Sequence, residues 1–325
     1  MATQIAREEA RFRRIYARQW LDRWYDKYDA GIHATGREAP FASGATILAP
    51  QKMGRRPFHC LSTGETWAAL LLIFHPGVWE VHEQRILYPV PRKHFLEGHP
   101  RGAGFRWPQF RGTLDVAERL NLMPHIRSIR IRGDKEGEYT SVPVFWLGDQ
   151  LVFLEDETGS YVLNWSIKDT SDAFGKPGPR RDGKMPTEKE LEHARARRQV
   201  EIVYYEDARI PTREISRDQI DPTLFYNLRD LFLSEAVPIA ANEEKTARAI
   251  EMFQQEVGSE EPAYLLANTV SQRLSITPED AKYILSQAIW ARRIRVDLFQ
   301  RILLDKPLRP EREDPVQRYA DWFRR

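Results

Sequence analysis

Near the N-terminus, Ile5, Phe12, Ile15, Tyr16, Trp20 and Trp24 recur at roughly helical spacing with charged residues between them. This predicts one amphipathic helix over 5–29. Residues 62–75 predict a short buried helix, ended by His75-Pro76-Gly77. Val78 to Tyr88 predicts an extended segment. The stretch 89–126 is rich in Pro, Gly and His and predicts little beyond one short helix near 114–121. A meander follows. Arg127 to Gly133 alternates as a strand, and Tyr139–Leu147, Gln150–Glu155 and Tyr161–Lys168 predict three more. Gly148-Asp149 and Glu157-Thr158-Gly159-Ser160 supply turns. Thr187 to Gln199 predicts a helix, and Val200 to Tyr205 a short strand buried on both faces. The alternation implies α/β layers over 50–210.

From 221 the pattern is helical. Asp221 caps a helix opened by Pro222, and another helix runs from Asn242 to Val257. Ala263–Leu274, then Thr277-Pro278-Glu279-Asp280 leading a helix to Ala291, predict a compact two-helix unit with Thr277 as N-cap. Arg292 to Leu304 predicts a returning β wing. The domain plan is an N-terminal helix and loop over 1–50, an α/β domain over 51–210 with an insertion at 92–138, a helical domain over 221–310 and a tail over 311–325.

Composition narrows the function. The 325 residues are 42% hydrophobic and 30% charged, ordinary for folded domains. The longest apolar run, Trp67 to Phe74, is too short to span a bilayer, and Met1-Ala2-Thr3-Gln4 leads into a charged helix with no signal core. A cytoplasmic protein is expected. Cys60 is the single cysteine, so an intrachain disulfide and a thiolate zinc cluster are excluded. His75, His82, His94 and His99 have no standard zinc spacing, and no Walker-type phosphate loop is present. Net charge is only +2, but arginines cluster at Arg11–Arg14, Arg55-Arg56, Arg127–Arg132, Arg180-Arg181, Arg195–Arg198 and Arg292–Arg295. Each cluster is either a solvated face or a phosphate contact.

The candidate chemistry lies on the last meander strand, which ends Asn164-Trp165-Ser166-Ile167-Lys168. Alternation puts Asn164, Ser166 and Lys168 on one face. A lysine in line with two small polar residues, late in an apolar strand, is suited to stabilising charge on a phosphodiester beside carboxylate-held metal. Asp149, at the turn upstream, would return beside Lys168 across a hairpin. Glu65 opens the 62–75 helix and supplies a second acid. Each residue also has a plain local role: Glu65 in a Ser62 capping box, Asp149 in a turn, Lys168 reaching along its strand to water.

The run Phe58-His59-Cys60-Leu61-Ser62-Thr63-Gly64-Glu65 into the apolar helix, and Val78-Trp79-Glu80-Val81-His82-Glu83-Gln84 after it, resemble the TnsA endonuclease subunit of heteromeric bacterial transposases. In that family an acid opens the short helix, a second acid opens the hairpin, and the strand ends in a polar residue, an apolar residue and lysine. Glu65, Asp149 and Ser166-Ile167-Lys168 stand at these places. Ser166 replaces the family's usual Gln or acid, and Asp156 and Glu155 are alternatives to Asp149. The resemblance implies a restriction-endonuclease-like mixed sheet flanked by helices, followed by a winged-helix domain. It implies a Mg²⁺-dependent (alternatively Mn²⁺-dependent) endonuclease cutting one strand at transposon ends. Glu65 and Asp149 would hold metal, Lys168 would stabilise charge and Ser166 would support it. Arg180, Arg181, Arg292, Arg293 and Arg295 are the candidate contacts to double-stranded DNA. The partners implied are a transposase subunit and an ATPase regulator, with no membrane. The competing readings are a non-catalytic nuclease-like adaptor and a DNA-binding regulator working through its helix-turn-helix alone.

Overall fold

The computed structural model describes residues 2–39, 44–133, 138–178 and 183–325. The chain divides into two units, one of Met1–Thr66, Gly77–Gln219 and Arg325, the other of Trp67–Pro76 and Ile220–Arg324.

The first unit opens with α1 (Ala2–Gln19). The helix stops well short of the predicted 29. Gln19 is fully buried; its amide donates to Tyr28 Oη (3.0 Å) and the Gln84 carbonyl (3.1 Å), and its Oε1 accepts from Ile86 N (2.8 Å). The chain turns there, through a 3₁₀ turn at Tyr25–Lys27, and Trp24 stacks on Trp79 with ring centroids 5.5 Å apart. Tertiary packing overrides the helical period.

Next come β1 (Thr46–Leu48) and β2 (Phe58–Cys60), an antiparallel pair, then α2 (Thr63–Phe74), β3 (Val78–Glu83) and β4 (Ile86–Leu87). A short α3 (Thr113–Arg119) lies where the sequence predicts one. β5 (Ser128–Arg132) and β6 (Tyr139–Pro143) form a separate ribbon. β7 (Trp146–Leu147) pairs with β4, and β8 (Gln150–Asp156) and β9 (Gly159–Lys168) follow. Then α4 (Glu188–Asp207) leads into β10 (Thr212–Ser216). The main sheet is four-stranded, in the order β10-β9-β8-β3, with β10 parallel to β9 and the other pairs antiparallel. This unit is therefore α/β with a mixed sheet.

Three expectations are corrected here. Val200–Tyr205 is not a strand but the continuation of α4. Ala196, Val200, Tyr204 and Ala208 are buried four apart, a helical stripe that the β-branched and aromatic composition of 200–205 conceals. The sheet strand is β10, whose sequence Thr-Arg-Glu-Ile-Ser carries little apolar signal. The predicted four-strand meander is split as well, since β5-β6 and β7 lie outside the main sheet, and residues of the predicted insertion at 92–138 pack into the core. Phe95, Leu96, Phe110, Val116 and Ala117 share one buried cluster with Phe153, Val162 and Tyr204.

A charged group lies inside this unit. The Arg56 guanidinium makes a two-pronged ion pair with Glu83 (2.8 and 2.9 Å), reaches Glu80 (3.3 Å) and stacks over the Tyr28 ring at 4.7 Å, with all three charged side chains essentially buried. Burial alone would lower the Arg56 pKa, but Glu83 and Glu80 hold it above its ordinary value.

The second unit is helical: Trp67–Pro76 with α5 (Pro222–Glu235), α6 (Glu243–Glu256), α7 (Ala263–Leu274), α8 (Pro278–Trp290), α9 (Pro315–Arg318) and α10 (Ala320–Phe323). The predicted caps are in place: Asp221, Asn242 and Thr277 accept from Leu224 N, Lys245 N and Asp280 N at 3.0, 2.9 and 3.0 Å. The predicted wing is absent as a hairpin. Residues 292–304 contain no strand, and Val296 meets Pro310 only as an isolated bridge. The segment 311–325 is likewise no free tail, since Tyr319 Oη accepts from Asp221 N (2.9 Å) and Phe323 stacks on His75 at 4.1 Å. Among the described residues, no helix is long and apolar enough to cross a membrane.

Candidate active site

The site is built on a bend shared by two strands. β3 pairs with β8, and β4 pairs with β7, so β3-β4 and β7-β8 run alongside each other on both sides of a break. On one strand the break is Gln84, whose φ of 47° is left-handed and uncommon outside glycine. On the other it is Gly148-Asp149. The two are tied by Gln84 N donating to the Asp149 carbonyl (3.0 Å) and Gly148 N donating to the Arg85 carbonyl (2.8 Å). A Cβ on Gly148 would stand 3.1 Å from the buried Tyr205 hydroxyl, a tight approach that glycine avoids. The bend turns the Asp149 carboxylate toward β9, where Oδ2 accepts from Ile167 N at 2.7 Å.

Glu65 reaches the same place from the first turn of α2. Its N–H donates to Ser62 Oγ (3.1 Å), half of the predicted capping box, but its carboxylate accepts from Leu61 N (2.8 Å) rather than from Ser62 N. The same oxygen accepts from Gln84 Nε2 (3.0 Å), and the Glu65 carbonyl accepts from Gln150 Nε2 (3.1 Å). Gln84 thus bridges the Glu65 carboxylate and the Asp149 backbone. Burial, and then the Asp149 charge, push the Glu65 carboxyl up to about 8, tempered by Leu61 N, Ser62 and Lys168. The helix start also presses on the end of β9, for a Cβ on Gly64 would lie 3.2 Å from the Lys168 carbonyl.

On β9, Trp165 and Ile167 are buried, whereas Ser166 and Lys168 are half-buried and face a cleft, as the alternation predicts. Lys168 makes no hydrogen bond or ion pair at contact distance among the described residues, yet its charge reaches both Glu65 and Glu201. Glu201 is the residue that sequence reasoning misses. It lies on α4, and its carboxylate accepts from Asn164 Nδ2 at 3.0 Å. Burial raises its pKa, opposed by Arg197 and reinforced by Asp149. An acid within the apolar run 200–205 is the available signal. Reading the run as a strand hides it.

Glu65, Asp149 and Lys168 therefore converge, and Ser166 lies beside them. The alternatives Asp156 and Glu155 do not. They sit at the far end of β8, roughly 20 Å along the strand, where Asp156 pairs with Arg325 (2.7 Å) and Glu155 with Arg101. A cleft of about 1150 Å³ opens over Asp149, Ser166, Lys168, Glu201, Arg127 and Arg197. A second, of about 440 Å³, is lined by Glu65, Gln84, Asp149, Arg11, Arg127 and Arg197.

No family model matches the chain, and no curated protein matches it significantly.

Of the predicted DNA contacts, Arg180 and Arg181 lie outside the described residues. Arg292 and Arg295 are already engaged, with Asp314 at 2.7 and 2.8 Å, and Arg295 also pairs with Glu311. Arg293 is exposed. Among the described residues no group of three or more His, Cys, Asp and Glu side chains is placed to hold a metal ion. Mg²⁺ is commonly held by one or two carboxylates, completed by water and substrate oxygens. Glu65 and Asp149 supply that number, their mutual repulsion is what a cation would relieve, and Gln84 Oε1 is a buried oxygen without a hydrogen-bond partner beside them. The donor set fits a hard divalent cation.

Proposed function

We propose that the α/β unit is a metal-dependent DNA endonuclease domain of the restriction-endonuclease type, working within a TnsA-like transposition system. The observation that carries this reading is the convergence of Glu65, Asp149 and Lys168 from three separate elements onto one bend, beside a cleft lined with arginine. Glu65 and Asp149 would hold Mg²⁺ or Mn²⁺. A cation there polarises the phosphate and makes water a better nucleophile. Lys168 stabilises the negative charge that develops on the phosphate, and the Glu201 carboxyl lies within reach of its charge. Ser166 offers only a hydroxyl where a stronger ligand would favour a second cation. The helical unit is a docking module for the partner transposase and ATPase regulator. Its helix after the turn presents the exposed Glu279 in its first turn, and Arg292 and Arg295 are neutralised internally. Both features disfavour sequence reading by that helix.

The deciding experiment is nicking of supercoiled plasmid and of labelled transposon-end duplexes with Mg²⁺ or Mn²⁺, paired with calorimetric titration of the metal. Wild type should bind metal and nick, and Asp149→Asn should do neither. A folded wild type that binds duplex DNA but neither binds metal nor cuts would establish the adaptor reading instead.

The Glu65 environment predicts a stability effect with a definite sign. Its folded pKa, about 8, lies above the ordinary carboxylate value. Between those values the folded state holds a proton that the unfolded state has released, so raising the pH through this window destabilises the fold. Glu65→Gln removes that burden and keeps an acceptor for Leu61 N. It should raise Tm relative to wild type at pH 8 and lose the advantage near pH 4, while metal binding is lost throughout. Melting curves that run parallel across pH would contradict the assignment.

A further inference from the structure

Three of the arginines on the two clefts differ sharply in what they are doing. Arg198, on the larger cleft, is committed to an ion pair with Glu214. Arg127 has no side-chain partner among the described residues, and Arg197 has only the Leu147 carbonyl, to which it donates at 2.8 Å. Both are exposed, and neither forms an ion pair with a carboxylate at contact distance among the described residues. They are also the two arginines that line both clefts, and the acid common to both clefts is Asp149. Arg11 lines the smaller cleft only. The two uncommitted guanidinium groups therefore stand where the clefts meet, beside the residue at the bend.

We infer that Arg127 and Arg197 are positioning residues that grip successive phosphates of one DNA strand, so that the strand runs from the larger cleft past Asp149 into the smaller one. The inference rests on the nuclease reading of the site and adds how the substrate is held. A guanidinium presents a planar fork of donors matched to phosphate oxygens, and it stays charged at every relevant pH. One group rises from the loop before β5 and the other from α4, so the strand is held from two sides. Arg197 is further fixed by Leu147, two residues before Asp149, which links the grip to the bend. Lys176, also on the larger cleft, has its ammonium taken by Asp172 at 2.8 Å.

The test uses the full chain, with Arg127→Gln, Arg197→Gln, the double variant and the corresponding Lys variants. Gln removes the charge while keeping a polar side chain. Binding of a labelled duplex in Ca²⁺ is measured over a series of salt concentrations. Removing one phosphate-neutralising charge should reduce the slope of log K against log salt by about 0.9. Each Gln variant should therefore drop by one such step and the double variant by two. The Lys variants should keep the slope. In Mg²⁺ the Gln variants should raise KM with kcat largely retained, whereas Asp149→Asn keeps the slope and loses kcat. Folded Gln variants with the wild-type slope would overturn the grip, and they would leave the nuclease reading intact if wild type still nicks. If wild type never nicks but the slope falls as described, the grip stands and the nuclease reading fails.

Discussion

Lys168→Ala is expected to slow strand cutting by about a hundred- to a thousandfold without lowering Tm. The chemistry and the stability separate because of where this lysine stands. It is half-buried at the end of β9, and its ammonium makes no hydrogen bond or ion pair at contact distance among the described residues, so truncation orphans no partner. What it removes is the positive charge facing Glu65, Asp149 and the substrate. Lys168→Arg should not restore the rate, since a planar fork cannot occupy the volume or geometry of a compact ammonium. Duplex binding in Ca²⁺ should change little. Nicking at the wild-type rate by a folded Lys168→Ala protein would remove Lys168 from the chemistry and leave the cleft as a binding surface.

Arg56→Ala is expected to be the most destabilising single change in the α/β unit, costing about 3–5 kcal/mol and lowering Tm by roughly 10 °C. Glu83 would lose both prongs of its ion pair and Glu80 its neighbour, deep in the interior. The loss should also depend on pH. Burial already raises the Glu80 carboxyl against the opposing Arg56 charge, and removing the guanidinium leaves that rise unopposed. The penalty is then small below about pH 4 and grows as pH rises, when the unfolded state has released protons that the folded state must keep. Adding Glu80→Gln and Glu83→Gln to Arg56→Met should recover part of the loss. A deficit that is equal at pH 4 and pH 8 would mean that Arg56 contributes through packing and not through charge.

Much of this architecture is legible in the sequence because local signals agree with the fold. The caps at Asp221, Asn242 and Thr277, the limits of α2 and α7, and the polar face of β9 follow from spacing and from donor–acceptor chemistry. The misreadings share a cause, which is tertiary contact overriding local preference. The N-terminal helix stops because Gln19 is drawn into hydrogen bonds with residues far along the chain. Val200–Tyr205 has strand-forming residues, yet it is helical because one face of α4 packs on the Phe110 and Phe153 cluster. β10 is nearly silent because a parallel edge strand needs few apolar residues. At the site, Glu65, Asp149 and Lys168 are readable as acids and a base at element junctions. Gln84 is not, because its importance lies in a backbone angle.

The parallel pairing of β10 with β9 has a consequence for synthesis. β9 is long, largely apolar and central, and its second neighbour arrives only after the chain has passed through all of α4. Until Thr212–Ser216 emerges from the ribosome, one side of β9 presents a row of unpaired amides and carbonyls, the usual template for wrong partners. The polar side chains of Asn164, Ser166 and Lys168 break the apolar run of that ribbon while it waits.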